Sequence, residues 1–243
     1  MANAREIQSR IKSIQDTRKI TNAMYLISST KLKKSRKLLT DTEPYFYTMQ
    51  DVIRRILRHM EVNEHPFFDR RQQVPEKKRS MGLIVITGDK GLAGAYNHNI
   101  LKMAHAWMEK SENNHLYVVG ELGRQYFAAR HMPVEEQFHY TVQNPSMHRA
   151  RMISSRVLED YMDKKLDEVW IIYTEMINSM KMEARMEQLL PLKKRRFQRH
   201  RHSDGYPSGG HPHGSVAGGG AGSCGAQLCD RLYLWLSCRV LLQ

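Results

Sequence analysis

Before Cys224 this chain of 243 residues has no cysteine, and its three cysteines (Cys224, Cys229 and Cys238) are confined to the last stretch. A body without cysteine does not rely on disulfides and suits a reducing compartment. Glycine is absent before Gly82, and Pro44 is the only proline before Pro66, so the N-terminal region holds a single strong helix breaker. No apolar run approaches the roughly 20 residues that a membrane-spanning helix needs. The opening MANAREIQSR lacks the apolar core of a secretory leader. The expectation from these absences is a soluble, cytosolic body. Acidic residues are also short, leaving a net charge of +13, which calls for an anionic partner: nucleic acid, a membrane surface or an acidic protein. Hydrophobic content of 41% is enough for a packed core.

What is present is organised around Arg5–Leu39 (REIQSRIKSIQDTRKITNAMYLISSTKLKKSRKLL). Ile7, Ile11, Ile14, Thr17, Thr21, Met24 and Ser28 recur at steps of three and four and share one helical face. Arg10, Lys12, Lys19, Lys31, Lys33, Lys34, Arg36 and Lys37 crowd the remaining surface. So narrow a seam asks for one partner helix rather than a broad core. The plainer alternative is a basic amphipathic helix lying on a globular domain, and length tells against it. Val52, Ile53, Ile56, Leu57 and Met60 keep the helical spacing beyond Pro44, which allows one bent helix of roughly 80 Å or two helices. The single helix is favoured, and it is too long to be buried in a domain of this size.

His65–Ser80 mixes proline with charge and reads as a connecting loop. Met81–Thr87 (MGLIVIT) is then a continuous, β-branched apolar run, as in a buried parallel strand. A glycine-rich turn, Gly88–Asn97 (GDKGLAGAYN), leads to a helix from Ile100 to Lys110. A strand is expected over His115–Gly120, a helix over Glu121–His131 and a third strand over Val134–Thr141. Another helix follows, with Asn144 as cap and Pro145 at its first position, running to about Lys165. Glu168–Thr174 (EVWIIYT) is a further strand. This alternation predicts an α/β domain with a mainly parallel, Rossmann-like sheet. Beyond Lys193 lie nine of the 15 glycines, and eight Lys or Arg from Lys193 onward face only Asp204 and Asp230. That composition has neither period nor core face and reads as a disordered basic tail. The divisions expected are a helix over 1–60, a connector over 61–80, an α/β domain over 81–192 and the tail over 193–243.

Signals of chemistry are weak. Gly88, Gly91 and Gly94 form G-x-x-G-x-x-G between a strand and a helix, a place where phosphates bind. The run lacks both the Gly-Lys-Ser/Thr close of a phosphate loop and the dinucleotide spacing. His200, His202, His211 and His213 with Cys224 and Cys229 match no familiar zinc spacing, and Lys193–His202 reads as a solvated charge run. No paired carboxylates or nucleophile–base set stands out. Neither a metal nor a cofactor is expected.

Three stretches nevertheless resemble the gamma subunit family of the F-type ATP synthase. They are REIQSRIKSIQDTRKITNAMYLISSTKLKKS, similar to the family's N-terminal shaft helix, ITGDKGLAGAYN, similar to its strand-then-turn, and VWIIYTEMINSM with EQLLPL, similar to its strand and hairpin. Their order and spacing fit over roughly residues 1–192. The resemblance implies a rotor: the first helix is half of an antiparallel coiled coil inside the alpha–beta head, with the α/β domain at its foot. There it would meet the epsilon subunit and the c-ring, on the cytoplasmic face of the cell membrane and touching the membrane only through the complex. It implies a non-catalytic subunit that couples proton flow to ATP synthesis on the beta subunits. Ile7, Ile11, Lys12, Ile14, Arg18, Lys19, Met24, Lys31 and Lys33 become shaft contacts. Asp89, Lys90 and Gly91 become turn contacts with neighbouring subunits.

The family's C-terminal helix has no counterpart after Lys193. A reading-frame shift near Lys193 is the expectation, and with it a chain that rotates poorly or not at all. The rival readings are a basic-helix nucleic-acid binder, with affinity falling steeply in salt, and a nucleotide-dependent α/β enzyme served by Gly88–Gly94.

Overall fold

The computed structural model describes residues 2–59, 66–69, 71, 73–75, 78–91, 93–109, 113–135, 140, 142, 146–178 and 181–193. The tail beyond Lys193, with its histidines and cysteines, lies outside the described residues. The chain divides into two compact units, Met1–Tyr45 and Phe46–Gln243.

The described residues of the first unit, from Ala2 onward, are helical. Helix α1 spans Ala2–His59 and continues through Pro44, whose missing N–H removes one helical hydrogen bond. Every residue from Asn3 to Asp41 is exposed. The hydroxyls of Thr17, Thr21, Thr30, Thr40 and Thr42 each donate to the carbonyl four residues back. Their methyl groups are therefore what the helix surface presents.

In the second unit the strands are β1 (Met81–Ile86), β2 (Asn114–Val119), β3 (Glu168–Met176) and β4 (Met182–Leu190). The sheet order is β2-β1-β3-β4. Strand β1 lies parallel to both β2 and β3, and β4 returns antiparallel to β3 as a hairpin. The helices are α2 (Tyr96–Met108), α3 (Glu121–Ala128) and α4 (Met147–Met162). MGLIVI is apolar at consecutive positions because both faces of the sheet are covered. Leu83 and Val85 face Ile100, Leu101, Ala104 and Trp107 of α2 and Phe127 of α3. Ile84 and Ile86 face Ile153, Val157 and Leu158 of α4, with Phe46, Met49 and Ile53 from the last turns of α1. Each large side chain so buried contributes about 1.5–3 kcal/mol, which makes this sandwich the source of the unit's stability.

Two arginines pin the connector to the sheet. Arg71 meets Asp167 at 2.9 Å, donates to the carbonyls of Tyr161 and Leu166, and stacks 4.6 Å from the Tyr161 ring centroid. Arg79 meets Glu168 at 2.7 Å. Across the other end of the sheet, a Cβ on Gly123 would lie 2.6 Å from the Thr87 hydroxyl, which accepts the Gly123 N–H at 3.1 Å. The absence of a side chain lets α3 start directly against the end of β1.

Several boundaries differ from expectation. Helix α2 begins at Tyr96, four residues before Ile100, because Gly94 (φ +56°) completes the turn early and Asn97 already belongs to the helix. Helix α3 stops at Ala128, and the chain turns at His131 with φ +55°. Helix α4 starts at Met147 with Ser146 as its cap, its hydroxyl accepting the Arg149 N–H at 3.3 Å. Asn144 and Pro145, expected in those roles, lie outside the described residues. Of the strand expected over Val134–Thr141, residues 136–139 and 141 lie outside the described set. Tyr140 forms one parallel bridge with Val119, and the Glu135 N–H donates to the Leu116 carbonyl at 3.0 Å.

Candidate functional site

The exposed length of α1 is the first candidate. Ile7, Ile11 and Ile14 are 51%, 50% and 68% exposed, and Met24 is exposed with them. Leaving such side chains in water forgoes burial worth about 25 cal/mol per Å², which marks a surface meant to be covered. Lys12, Arg18, Lys31 and Lys33 are exposed beside this row. Lys19 makes a local ion pair with Asp16 at 3.3 Å, three residues earlier, a contact of at most a few tenths of a kcal/mol.

The glycine-rich turn is the second candidate. Gly88 donates its N–H to the Asn97 side-chain oxygen at 2.8 Å, which folds the turn back on the first turn of α2. Asp89 is half-buried and faces inward. Its carboxylate accepts the Glu121 N–H at the start of α3 and the Val142 N–H, each at 3.2 Å. One side chain thereby ties the end of β1 to two other segments. Lys90 and Gly91 are exposed, and a side chain at Gly91 would meet nothing within 4 Å. The structure thus separates the three turn residues: Asp89 braces, while Lys90 and Gly91 are presented outward.

Sequence reasoning missed the charged cluster inside the α/β unit. Asp160, on α4, is buried and accepts the Tyr117 hydroxyl at 2.8 Å and the Lys165 ammonium at 3.0 Å. Burial pushes its pKa up, but the Lys165 and Tyr117 hydrogen bonds and the Arg156 charge outweigh that and leave it below the usual carboxylate value. Burial first, and then the neighbouring carboxylate, push Tyr117 well above an ordinary phenol, so it stays a hydroxyl donor. Arg156 carries the network on to Glu135 at 3.3 Å. These groups are spent on one another and serve packing rather than proton transfer to a substrate. No spacing signals them, because Tyr117 sits within an apolar run and Asp160 within a helix of mixed charge.

Among the described residues, no group of three His, Cys, Asp or Glu side chains is placed to hold a metal ion. No helix among them is long and apolar enough to cross a membrane.

Comparison with known proteins bears on both candidates. The ATP synthase family profile matches residues 3–211. The chain is 46% identical over 191 residues to the ATP synthase gamma chain of Ruminiclostridium cellulolyticum, covering 78% of this chain and 64% of that one. It is 42% identical over 192 residues to the ATP synthase gamma chain of Acetivibrio thermocellus, covering 79% and 64%. The chain thus spans just under two thirds of the length of these curated relatives. A structure of the Tetrahymena thermophila mitochondrial ATP synthase, comprising central stalk and c-ring, overlays with a TM-score of 0.48 at 17% identity. That overlay covers 84% of this chain and 90% of that one. From the match of its sequence along the exposed helix, the braced turn and the hairpin, the chain belongs to the ATP synthase gamma-chain family.

Proposed function

We propose that the chain acts as the central-stalk rotor subunit of an F-type ATP synthase, coupling transmembrane ion flow to ATP synthesis on the beta subunits. In this reading it is a non-catalytic, peripheral subunit at the cytoplasmic face of the membrane. Helix α1 engages the alpha and beta subunits and the α/β unit engages epsilon and the c-ring. The carrying observation is α1 itself: a helix of 58 residues whose apolar row and cations stay in water, in a chain whose family match begins at residue 3. Ile7, Ile11, Ile14 and Met24 serve as the packed contacts, and Lys12, Arg18, Lys19, Lys31 and Lys33 as the electrostatic ones. Lys90 and Gly91 touch a neighbouring subunit, with Asp89 holding their turn in shape.

The test is reconstitution of the full chain with alpha and beta subunits from one of the curated relatives. One copy per alpha–beta head is expected, and an Ile7→Asp, Ile11→Asp double variant should lose that association. A chain that fails to bind the head, or a double variant that binds equally well, would refute the reading. A nucleic-acid role would instead show as affinity falling steeply with salt and independent of the head.

We also propose a change of reading frame near Lys193, which costs α1 its second shaft helix and leaves this copy an impaired rotor. The concentration of glycine, histidine and all cysteine beyond that point supports it. Sequencing the coding DNA tests it. A family-like continuation in another frame is expected, and its absence from both alternative frames rejects the idea.

A further inference from the structure

The apolar surface of α1 changes character along its length. From Ile7 to Ile14 it is one narrow row. Between Asp16 and Asp41 it broadens. With about 100° per residue, Thr21, Tyr25, Leu32 and Leu39 continue the line of Ile7 and Ile14, while Ile20, Met24, Ile27 and Leu38 form a second line roughly 110° to one side, with Thr17, Ser28 and Ser35 between the two. Together they span an arc of roughly 160°. All of these side chains are exposed, Ile20 and Ile27 by 61% and 58%. Thr17 and Thr21 turn their hydroxyls back onto the helix at 2.9 and 2.8 Å, so they add methyl surface to the arc. The opposite side carries Lys19, Lys33 and Lys37, and Arg18, Arg36 and Lys34 line the two borders of the arc. Lys31 alone among the cations falls within the arc, and Leu26 lies among the cations. No Asp or Glu occurs between Asp16 and Asp41.

A single partner helix covers a narrow row, not an arc this wide. A second copy of the chain would bring the same cations with no acids to offset them, and is disfavoured by repulsion. A flat anionic surface that is apolar underneath satisfies both halves at once. The arc sinks to the acyl boundary, while the cations reach headgroup phosphates. Lys31 can bury its stem and keep its ammonium among the headgroups. Tyr25, at one border of the arc, suits the same depth. We propose that the stretch Thr17–Leu39 is an interfacial helix, by which the chain outside an assembled complex binds the surface of anionic bilayers. This contact shares Met24, Lys31 and Lys33 with the subunit reading, so the two exclude each other and the bilayer contact belongs to the chain before assembly.

The test uses the full chain with vesicles of phosphatidylglycerol and, separately, of phosphatidylcholine. Co-sedimentation with the anionic vesicles is expected, with amide hydrogen exchange slowed over residues 17–39. An Ile20→Ser, Ile27→Ser double variant, altered only at exposed positions of a helix, should bind about tenfold more weakly or worse. Three results would overturn the proposal: equal binding by the double variant, exchange slowed only outside residues 17–39, or equal affinity for phosphatidylcholine vesicles. Duplex nucleic acid that slowed the same amides regardless of the two isoleucines would overturn it as well.

Discussion

Two regions of this molecule use the same apolar residue types in opposite ways. In β1, Leu83, Ile84 and Val85 are essentially inaccessible to water, and the helices on both faces consume them. In the first unit, Ile7, Ile11 and Ile14 stand at least half exposed although their helix is as regular as any other. Regular structure alone therefore does not locate the stabilising core. Burial of the sheet holds the α/β unit together, whereas α1 from Asn3 to Asp41 is exposed throughout. A long isolated helix is marginal by itself, so its exposed row has its value in a partner.

The largest expected effect lies on the sheet side of that contrast. Ile171→Ala, at a fully buried position of β3, should cost about 2–5 kcal/mol in denaturant unfolding. Ile11→Ala in the isolated chain should change stability by less than about 0.5 kcal/mol, since it removes no buried contact and places a better helix former. Equal costs at the two positions would break the comparison.

Next in size is the buried carboxylate. Asp160→Asn should destabilise by about 1–3 kcal/mol, because the buried Tyr117 hydroxyl loses its charged acceptor. The pKa of Asp160 is depressed in the folded state, so its stabilisation is full above the ordinary value of 3.8 and fades as pH falls below it. Acid titration of stability should show this loss in the parent and a shallower one in the variant. An unchanged acid limb would remove Asp160 from the account.

A smaller effect is expected for Tyr161→Phe. The Tyr161 hydroxyl donates to the Pro66 carbonyl at 3.2 Å, and its loss should cost about 1 kcal/mol. Burial, only partly offset by Arg71, pushes the Tyr161 pKa up to about 12. Its contribution is therefore complete below pH 10, the ordinary value, and is lost as pH rises towards 12. The variant should resist alkaline unfolding better over that window.

Much of the fold is legible in the residues. MGLIVI and EVWIIY are strands buried on both faces, and that follows from their unbroken apolar character. The steps of three and four in Arg5–Leu39 give a helix, and the scarcity of Gly and Pro gives its length. The beginning of α2 is less legible, because it depends on Gly94 adopting a left-handed conformation and on Asn97 reaching back to Gly88, both of which are three-dimensional events. The widening of the α1 arc is carried by Ile20, Ile27 and Leu38, which lie off the seam that steps of three and four trace from Ile7. The roles of Asp89, Arg71 and Asp160 depend on partners far along the chain, and no local spacing announces them.

The most direct measurement is amide hydrogen exchange along α1 and the sheet, on the chain alone and after addition of alpha and beta subunits. Alone, residues 7–39 should exchange far faster than β1 and β3. With the head present, their exchange should slow while that of the sheet stays as it was. Unaltered exchange over residues 7–39 in the presence of the head would contradict the claim that α1 is the surface through which this chain meets its partners.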